Sequence, residues 1–346
     1  MNKILGIQRV LIDNGGVLLS TDPTDEREQE GIFNPTVAGG HLLYRAAGPG
    51  NYSRILAAKL TYDQRRGDLN AERLSETVLE PEQPYERVSK TSGGIEDPRI
   101  SRLPGEKYVM FYTAFGFQPA AGQQAPAIAV ATSSNGLDWN RLGPVLFAPL
   151  VWNGQTLDLN KIPNKDAVLF SEKVNGRYAM YHRPMWSTEE AEALDVPPRG
   201  IWYAEADTLT GPWQNHAFVA GPAEPWEANG IGAGVPPIKL GDFWLNIYHG
   251  FLYDGRHKHY SAGAFMTPSN RPQEVSWRQT EPALEPIVFD ENVRVETHIA
   301  FPTAAWRTPS GQILIIWGRE DRLIMWGYLD LELASSGLIS TLQLPA

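Results

Sequence analysis

Five stretches decide how this chain folds: HLLYRA (residues 41–46), KYVMFYTA (107–114), RYAMYHRP (177–184), FWLNIYHG (243–250) and QILIIWGR (312–319). Aligned near their ends, they bring Arg45, Thr113, Arg183, His249 and Gly318 into one column, at steps of 68, 70, 66 and 69 residues. A tight-turn dipeptide precedes each: GG at 39–40, PG at 104–105, NG at 175–176, GD at 241–242 and SG at 310–311. Short apolar runs entered through such turns are strands of hairpins. Upstream of each lies a second short run, FNPTVA, EDPRIS, KDAVLF, VPPIKL or AFPTAA, and downstream a third, RILAAKL, AIAVATS, IWYAEAD, YSAGAFM or LIMWGYL. One multi-stranded unit per period marks a propeller. Five periods of about 68 residues account for 346 residues, so the period predicts an all-β, five-bladed β-propeller in one domain spanning 1–346. One helix is expected, at STEEAEALD (187–195), where a capping Ser and Glu precede an apolar turn and proline stops it.

Composition narrows the function. A net charge of −10 and no basic run argue against nucleic acid. No run of 18 apolar residues and no leader-like N-terminus point away from membrane and towards the cytoplasm. The absence of cysteine removes disulfides and thiolate chemistry. Eleven Trp, 13 Tyr and 12 Phe suit blade packing and also suit the apolar faces of pyranose rings. Assembly into homo-oligomers is left open. HKHY at 257–260 offers two imidazoles at i, i+2 on a strand, but no third ligand is near in sequence, so no metal or cofactor is assigned.

Equivalent strand ends meet at one height around a propeller axis, so Arg45, Arg183 and His249 are expected to face a shared funnel and suggest an anion site. The upstream strands add Asn34, Glu96, Asp97, Arg99, Lys165 and Asp166, charged groups that are costly there unless paired or functional.

Four stretches, GGIEDPRISRLPGEKYVMFYTA (93–114), KDAVLFSEKVNGRYAMYHRP (165–184), IGAGVPPIKLGDFWLNIYHG (231–250) and FPTAAWRTPSGQILIIWGRED (301–321), resemble in order and spacing the family-130 glycoside enzymes, β-mannoside phosphorylases and β-mannosidases. The resemblance implies a five-bladed propeller that cleaves β-mannosides with inversion. It implies Asp97 as proton donor acting through a mannose hydroxyl, and Lys165, Arg183 and His249 as ligands of inorganic phosphate, the co-substrate. Asn34, Arg45, Arg99 and Asp321 then surround the mannose, with Glu96 and Asp166 in the same substrate-binding set. Phosphorolysis needs one carboxylic acid because phosphate is the nucleophile, whereas inverting hydrolysis needs a second carboxylate to activate water. Two departures matter. Gly230 stands where the phosphorylases usually carry a phosphate-binding Lys, and Glu227 three residues earlier is a candidate base for a hydrolase. GREDR (318–322) replaces smaller residues before Asp321, so Arg319 and Glu320 are expected to reshape the pocket. Phosphorolysis giving mannose 1-phosphate is the first expectation, hydrolysis the second, and a non-catalytic sugar-binding propeller the third.

Overall fold

A computed structural model describes residues 7–333, apart from 64, 90–91, 106, 118–124, 196–198, 287–296 and 309, together with 337–339. Strands dominate it. The first blade runs outward from Gly31–Ala38 through His41–Gly48 and Tyr52–Asp63 to Asp68–Leu79. The second and third repeat the meander from Ile95–Leu103 to Asn140–Pro144 and from Asn164–Leu169 to Gln214–Ala220. In the fourth the innermost strand is split into Gly230–Ala233 and Ile238–Leu240, both paired with Phe243–Tyr253. Pro236 and Pro237 lie in the gap, where two residues without an N–H cannot continue a ladder. VPPIKL therefore supplies only the outer half of that strand, and the half beside His249 comes from the preceding residues.

The fifth blade draws on both ends of the chain. Residues 7–20, to which the period gives no place, form a strand antiparallel to Leu323–Leu333 and complete the sheet begun by Thr297–Arg307 and Ile313–Arg319. A short parallel pairing of 258–260 with 297–299 joins blades four and five. The expected helix forms at Thr188–Leu194, with Ser187 and Glu190 making the reciprocal capping box.

The ring is legible in its core. Among the described residues five separate apolar clusters occur, and each fills one blade-to-blade interface. Alternation along the second strands divides the side chains between neighbours. Leu42 and Tyr44 pack towards blade five and Leu43 towards blade two, while Met110 and Tyr112 pack towards blade one and Val109 and Phe111 towards blade three. Both faces are buried, which is why these runs read as continuous apolar stretches.

Three blades carry the same buried polar staple. Glu28, Glu86 and Glu227 have no exposed surface. Each accepts a hydrogen bond from the tyrosine of its second strand (Tyr44, Tyr112 or Tyr248) and from an outer-strand arginine (Arg73, Arg141 or Arg278). Backbone N–H groups just upstream donate to the same carboxylates. The spacing from Tyr to Arg is 29, 29 and 30 residues, so the staple follows the repeat. His182 and Trp317 occupy the tyrosine position in blades three and five.

Closure of blade five leaves a close approach at Gly327, where any Cβ would overlap the carbonyl oxygen of Asp13 on the N-terminal strand. Gly327→Ala is expected to lower stability by roughly 1–3 kcal/mol, as overpacked sites do. A urea midpoint unchanged within error would contradict that role for the N-terminal strand.

Candidate active site

The column read from the sequence is a real layer of the propeller. Arg45, Thr113, Arg183, His249 and Gly318 pair across their ladders with Phe33, Glu96, Lys165, Gly232 and Phe301. Immediately after that layer, in three blades, the innermost strand bulges. Asn34, Asp97 and Asp166 adopt φ of 42°, 49° and 56°, and the register breaks at each. Asn and Asp are the side-chain-bearing residues that best tolerate this left-handed conformation. Such strain, repeated around one axis, is the backbone signature of a site.

The bulges aim a chain of charges across the blades. Arg45 of blade one donates to Glu96 at 2.8 Å and to Asp97 at 3.3 Å. The other oxygen of Asp97 lies 2.9 Å from Lys165 Nζ of blade three. Lys165 also stands 4.0 Å from Asp166, whose second oxygen is 2.9 Å from Arg183 Nε and 3.5 Å from His249 Nε2. Gly232 makes the last meeting possible, since a Cβ there would overlap the Asp166 carboxylate and sit 2.7 Å from the imidazole. Arg45, Asp97, Lys165, Asp166, Arg183 and His249 line a cavity of about 410 Å³ with Asn34, Asp321, Phe33, Tyr260 and Phe301. Phe301 lies under the His249 ring at 4.2 Å.

Electrostatics sharpen the roles. Burial alone would raise the Asp97 pKa, but Lys165, Arg45 and Arg99 outweigh it and hold the carboxyl below the usual range. Asp166 is lowered in the same way against its burial, by Arg183 first and Lys165 next. Asp321, with burial dominant and only Arg45 offsetting it strongly, is pushed up to about 6. His249 is driven down to about 3, chiefly by burial, so it is a neutral imidazole at pH 7. The funnel thus holds lysine and arginine cations already paired with carboxylates, and the expected third basic group is uncharged. Unspent polar groups remain, however. Arg183 Nη1 and His249 Nδ1, both of the cavity wall, are buried with no hydrogen-bond partner, an arrangement a polar ligand would resolve.

Of the residues singled out in the sequence, Asn34, Arg45, Asp97, Lys165, Asp166, Arg183, His249 and Asp321 line the cavity. Glu96 lies behind Arg45 as its partner. Arg99 is buried beneath the floor, stacked on Phe301 and donating across the axis to the carbonyls of Ala233 and Gly234 in blade four. It braces the site and does not line it. Glu227 does not line it either. Its carboxylate is consumed by Tyr248, Arg278 and the N–H groups of Ala223 and Glu224, so the candidate base is a structural staple. Arg319 and Glu320 also lie off the cavity, and Glu320 accepts from the Ile299 N–H. Gly230 cannot simply be exchanged for lysine: with φ at 138°, a Cβ would lie 2.8 Å from the Phe251 ring and 2.9 Å from Arg199. The sequence reading missed Phe33, Lys258, Tyr260 and Phe301. Lys258 and Tyr260 alternate with His259 at the start of one strand, just after His257, and Phe301 is the blade-five counterpart of Lys165.

A cavity of paired carboxylates and cations on a propeller axis is suited to glycoside cleavage. Residues 15–334 match the sequence model of glycoside hydrolase family 130, described as beta-1,4-mannooligosaccharide phosphorylase. The chain belongs to that family. It is 34% identical over 315 residues to a 1,2-beta-oligomannan phosphorylase of Thermoanaerobacter sp. (strain X514), covering 89% of this chain and 93% of the relative. It is 27% identical to a beta-1,4-mannooligosaccharide phosphorylase of Ruminococcus albus, covering 80% of this chain and 74% of that one. The fold matches the beta-1,2-mannobiose phosphorylase of Listeria innocua in complex with beta-1,2-mannobiose, with a TM-score of 0.64, 20% identity, and 94% and 98% of the two chains covered.

Glu227→Gln tests its assignment as a staple. It removes a charge that Arg278 and two N–H groups solvate, so thermal stability should fall by roughly 1–3 kcal/mol while turnover stays within a few-fold. Loss of activity by about 10²-fold or more in a fully folded variant would restore Glu227 as a catalytic base.

Proposed function

We propose that the protein is an inverting β-mannoside phosphorylase, with Asp97 as acid and Lys165, Arg183 and His249 around the attacking phosphate. The observation that carries this is the sharing of Lys165 between Asp97 and the Asp166–Arg183–His249 group. A phosphate dianion arriving there finds Lys165 and the unspent Nη1 of Arg183 as donors, and the unspent Nδ1 of His249 as an acceptor for the proton of hydrogen phosphate. Neutral His249 keeps its Nε2 hydrogen towards Asp166 and joins the site without the cost of desolvating a cation. Asp166 keeps the three groups converged, and its own charge is offset by Lys165 and Arg183.

The chemistry then follows from positions. A phosphate oxygen attacks the anomeric carbon of the mannose as the glycosidic C–O bond breaks. Asp97 supplies the proton that leaves with the departing sugar oxygen, relayed through a mannose hydroxyl. The products are α-mannose 1-phosphate and a shortened sugar. Asp97 must be protonated to act, yet in the free site its neighbours hold it ionised. Phosphate resolves this conflict, because it draws Lys165 away from Asp97 and sets negative charge beside it, and both effects raise the pKa. The acid is thereby armed when its nucleophile is present. Arg45, Asp321 and Asn34 line the part of the cavity left for mannose, and Phe33 stacks against Arg45 with its ring centre 4.7 Å from the guanidinium.

Hydrolysis is the second possibility. With Glu227 consumed in its staple, Asp321 is the remaining base, since a carboxyl near pKa 6 inside the cavity could accept a proton from water. For linkage, the 34% identity to the 1,2-beta-oligomannan phosphorylase supports β-1,2-linked mannosides as the first substrates to try.

The deciding experiment is incubation with β-1,2- and β-1,4-mannosides with and without phosphate. Mannose 1-phosphate should form, and turnover should stop without phosphate. Free mannose released at full rate in phosphate-free buffer would establish the hydrolase instead. In the phosphorylase, Arg183→Ala should raise the KM for phosphate roughly 10–100-fold and the KM for mannoside far less, by loss of a charge-assisted contact. Asp97→Asn should cost at least about 10²-fold in turnover with the fold intact.

A further inference from the structure

The hairpin that carries Lys258 and Tyr260 to the cavity turns its other face to a group of side chains that mannoside cleavage does not use. Asp254, His257 and His259 each offer one ligand atom, all within 4.8 Å of one another. His259 Nε2 stands 2.9 Å, and His257 Nδ1 3.7 Å, from the same oxygen, Oδ2 of Asp254. A fourth group comes from the next blade. His298 is the register partner of His259 in the parallel pairing, and its ring centre lies 4.9 Å from that of His259 and 5.3 Å from that of His257.

The donors of Asp254, His257 and His259 are close enough for one ion, and the His298 ring stands near enough to complete its shell by a side-chain rotation. Donors about 2.0–2.2 Å from a tetrahedral ion stand about 3.3–3.5 Å apart, and imidazoles bound through one nitrogen have ring centres about 5 Å apart. The carboxylate is already aimed. Oδ1 of Asp254 accepts from the N–H groups of Arg256 at 2.8 Å and His257 at 2.7 Å, which leaves Oδ2 turned to the imidazoles. The side chains are 41%, 23% and 31% exposed at Asp254, His257 and His259, so an ion can enter from solvent. Three imidazoles and one carboxylate exclude Ca²⁺ and Mg²⁺, which take oxygen, and suit Zn²⁺.

We propose that Asp254, His257, His259 and His298 form a structural binding site for a divalent transition-metal ion, Zn²⁺ foremost. Four protein ligands close the coordination shell, so the ion is a clip and not a Lewis acid for the sugar. It ties the tip of the blade-four hairpin to the first strand of blade five. That is the one seam where the described residues join two blades by a strand ladder, directly behind Lys258, Tyr260 and Ile299 of the cavity wall. In the sequence the third ligand, Asp254, lies only three residues before His257, while the fourth, His298, lies 39 residues beyond His259.

The test uses tag-free, chelator-treated full-length protein. Titration with Zn²⁺ by calorimetry should show one ion per chain, and Co²⁺ should give the intense visible absorption of tetrahedral coordination. Added Zn²⁺ should raise the melting temperature in a concentration-dependent way. His298→Ala and His259→Ala should each weaken binding at least tenfold with unchanged circular dichroism. Should either fail to fold, His257→Ala, at the partly exposed hairpin tip, gives the same readout. Absence of stoichiometric binding, or full affinity in a His259→Ala/His298→Ala double variant, would overturn the proposal. Both readouts are independent of the sugar chemistry.

Discussion

Lys165 is the hinge of this molecule's chemistry. Its ammonium is held, partly buried in the cavity wall, between two carboxylates of different purpose, Asp97 at 2.9 Å and Asp166 at 4.0 Å. A buried charge is tolerated only when paired and hydrogen-bonded, so this lysine binds the blade-two acid to the blade-three anchor of Arg183 and His249. Any anion that enters must compete for it. The acid and the nucleophile of the reaction are thereby placed in one electrostatic circuit, and neither can be perturbed alone.

The surrounding architecture supplies rigidity for that circuit. Five apolar clusters set the blades like staves, while polar contacts near the axis fix their heights. Arg99 reaches from blade two to carbonyls of blade four, Ser101 donates to the Leu169 carbonyl of blade three at 2.6 Å, and Thr303 of blade five donates to the Pro35 carbonyl of blade one. The Glu–Tyr–Arg staples do similar work farther out. A repeat fold can thus spend identical positions differently: the layer that holds Glu96 in blade two holds Lys165 in blade three and Phe301 in blade five. Function comes from breaking the repeat, and stability from keeping it.

Much of this was legible in the chain. The period located the second strands to within about three residues at either end, because both of their faces are buried and their apolar runs are uninterrupted. The bulged Asn34, Asp97 and Asp166 were found for a physical reason: charged or amide side chains between apolar neighbours are conspicuous. Other features left weaker marks. The closing strand at 7–20 belongs to no repeat, since it completes a blade begun near residue 297. The Pro-Pro interruption displaced the blade-four inner strand from its expected place. Glu227 was misjudged because a buried staple and a loop base look alike until Tyr248 and Arg278 are seen around it. Arg99 sits one residue on the other side of a bulge from the cavity, a distinction of backbone geometry that composition does not carry. The protonation of His249 was equally hidden, because burial decides it.

The account stands on the coupling of phosphate occupancy to the proton on Asp97. It is tested most directly by carboxyl-carbon NMR of aspartate-labelled protein, with the Asp97 resonance assigned by its loss in Asp97→Asn. In the free enzyme that resonance should stay ionised down to well below the ordinary aspartate range, as Lys165 and Arg45 require. Saturating phosphate should move its titration upward by at least about one pH unit. A titration unmoved by phosphate, in protein that binds phosphate, would contradict the shared-lysine mechanism.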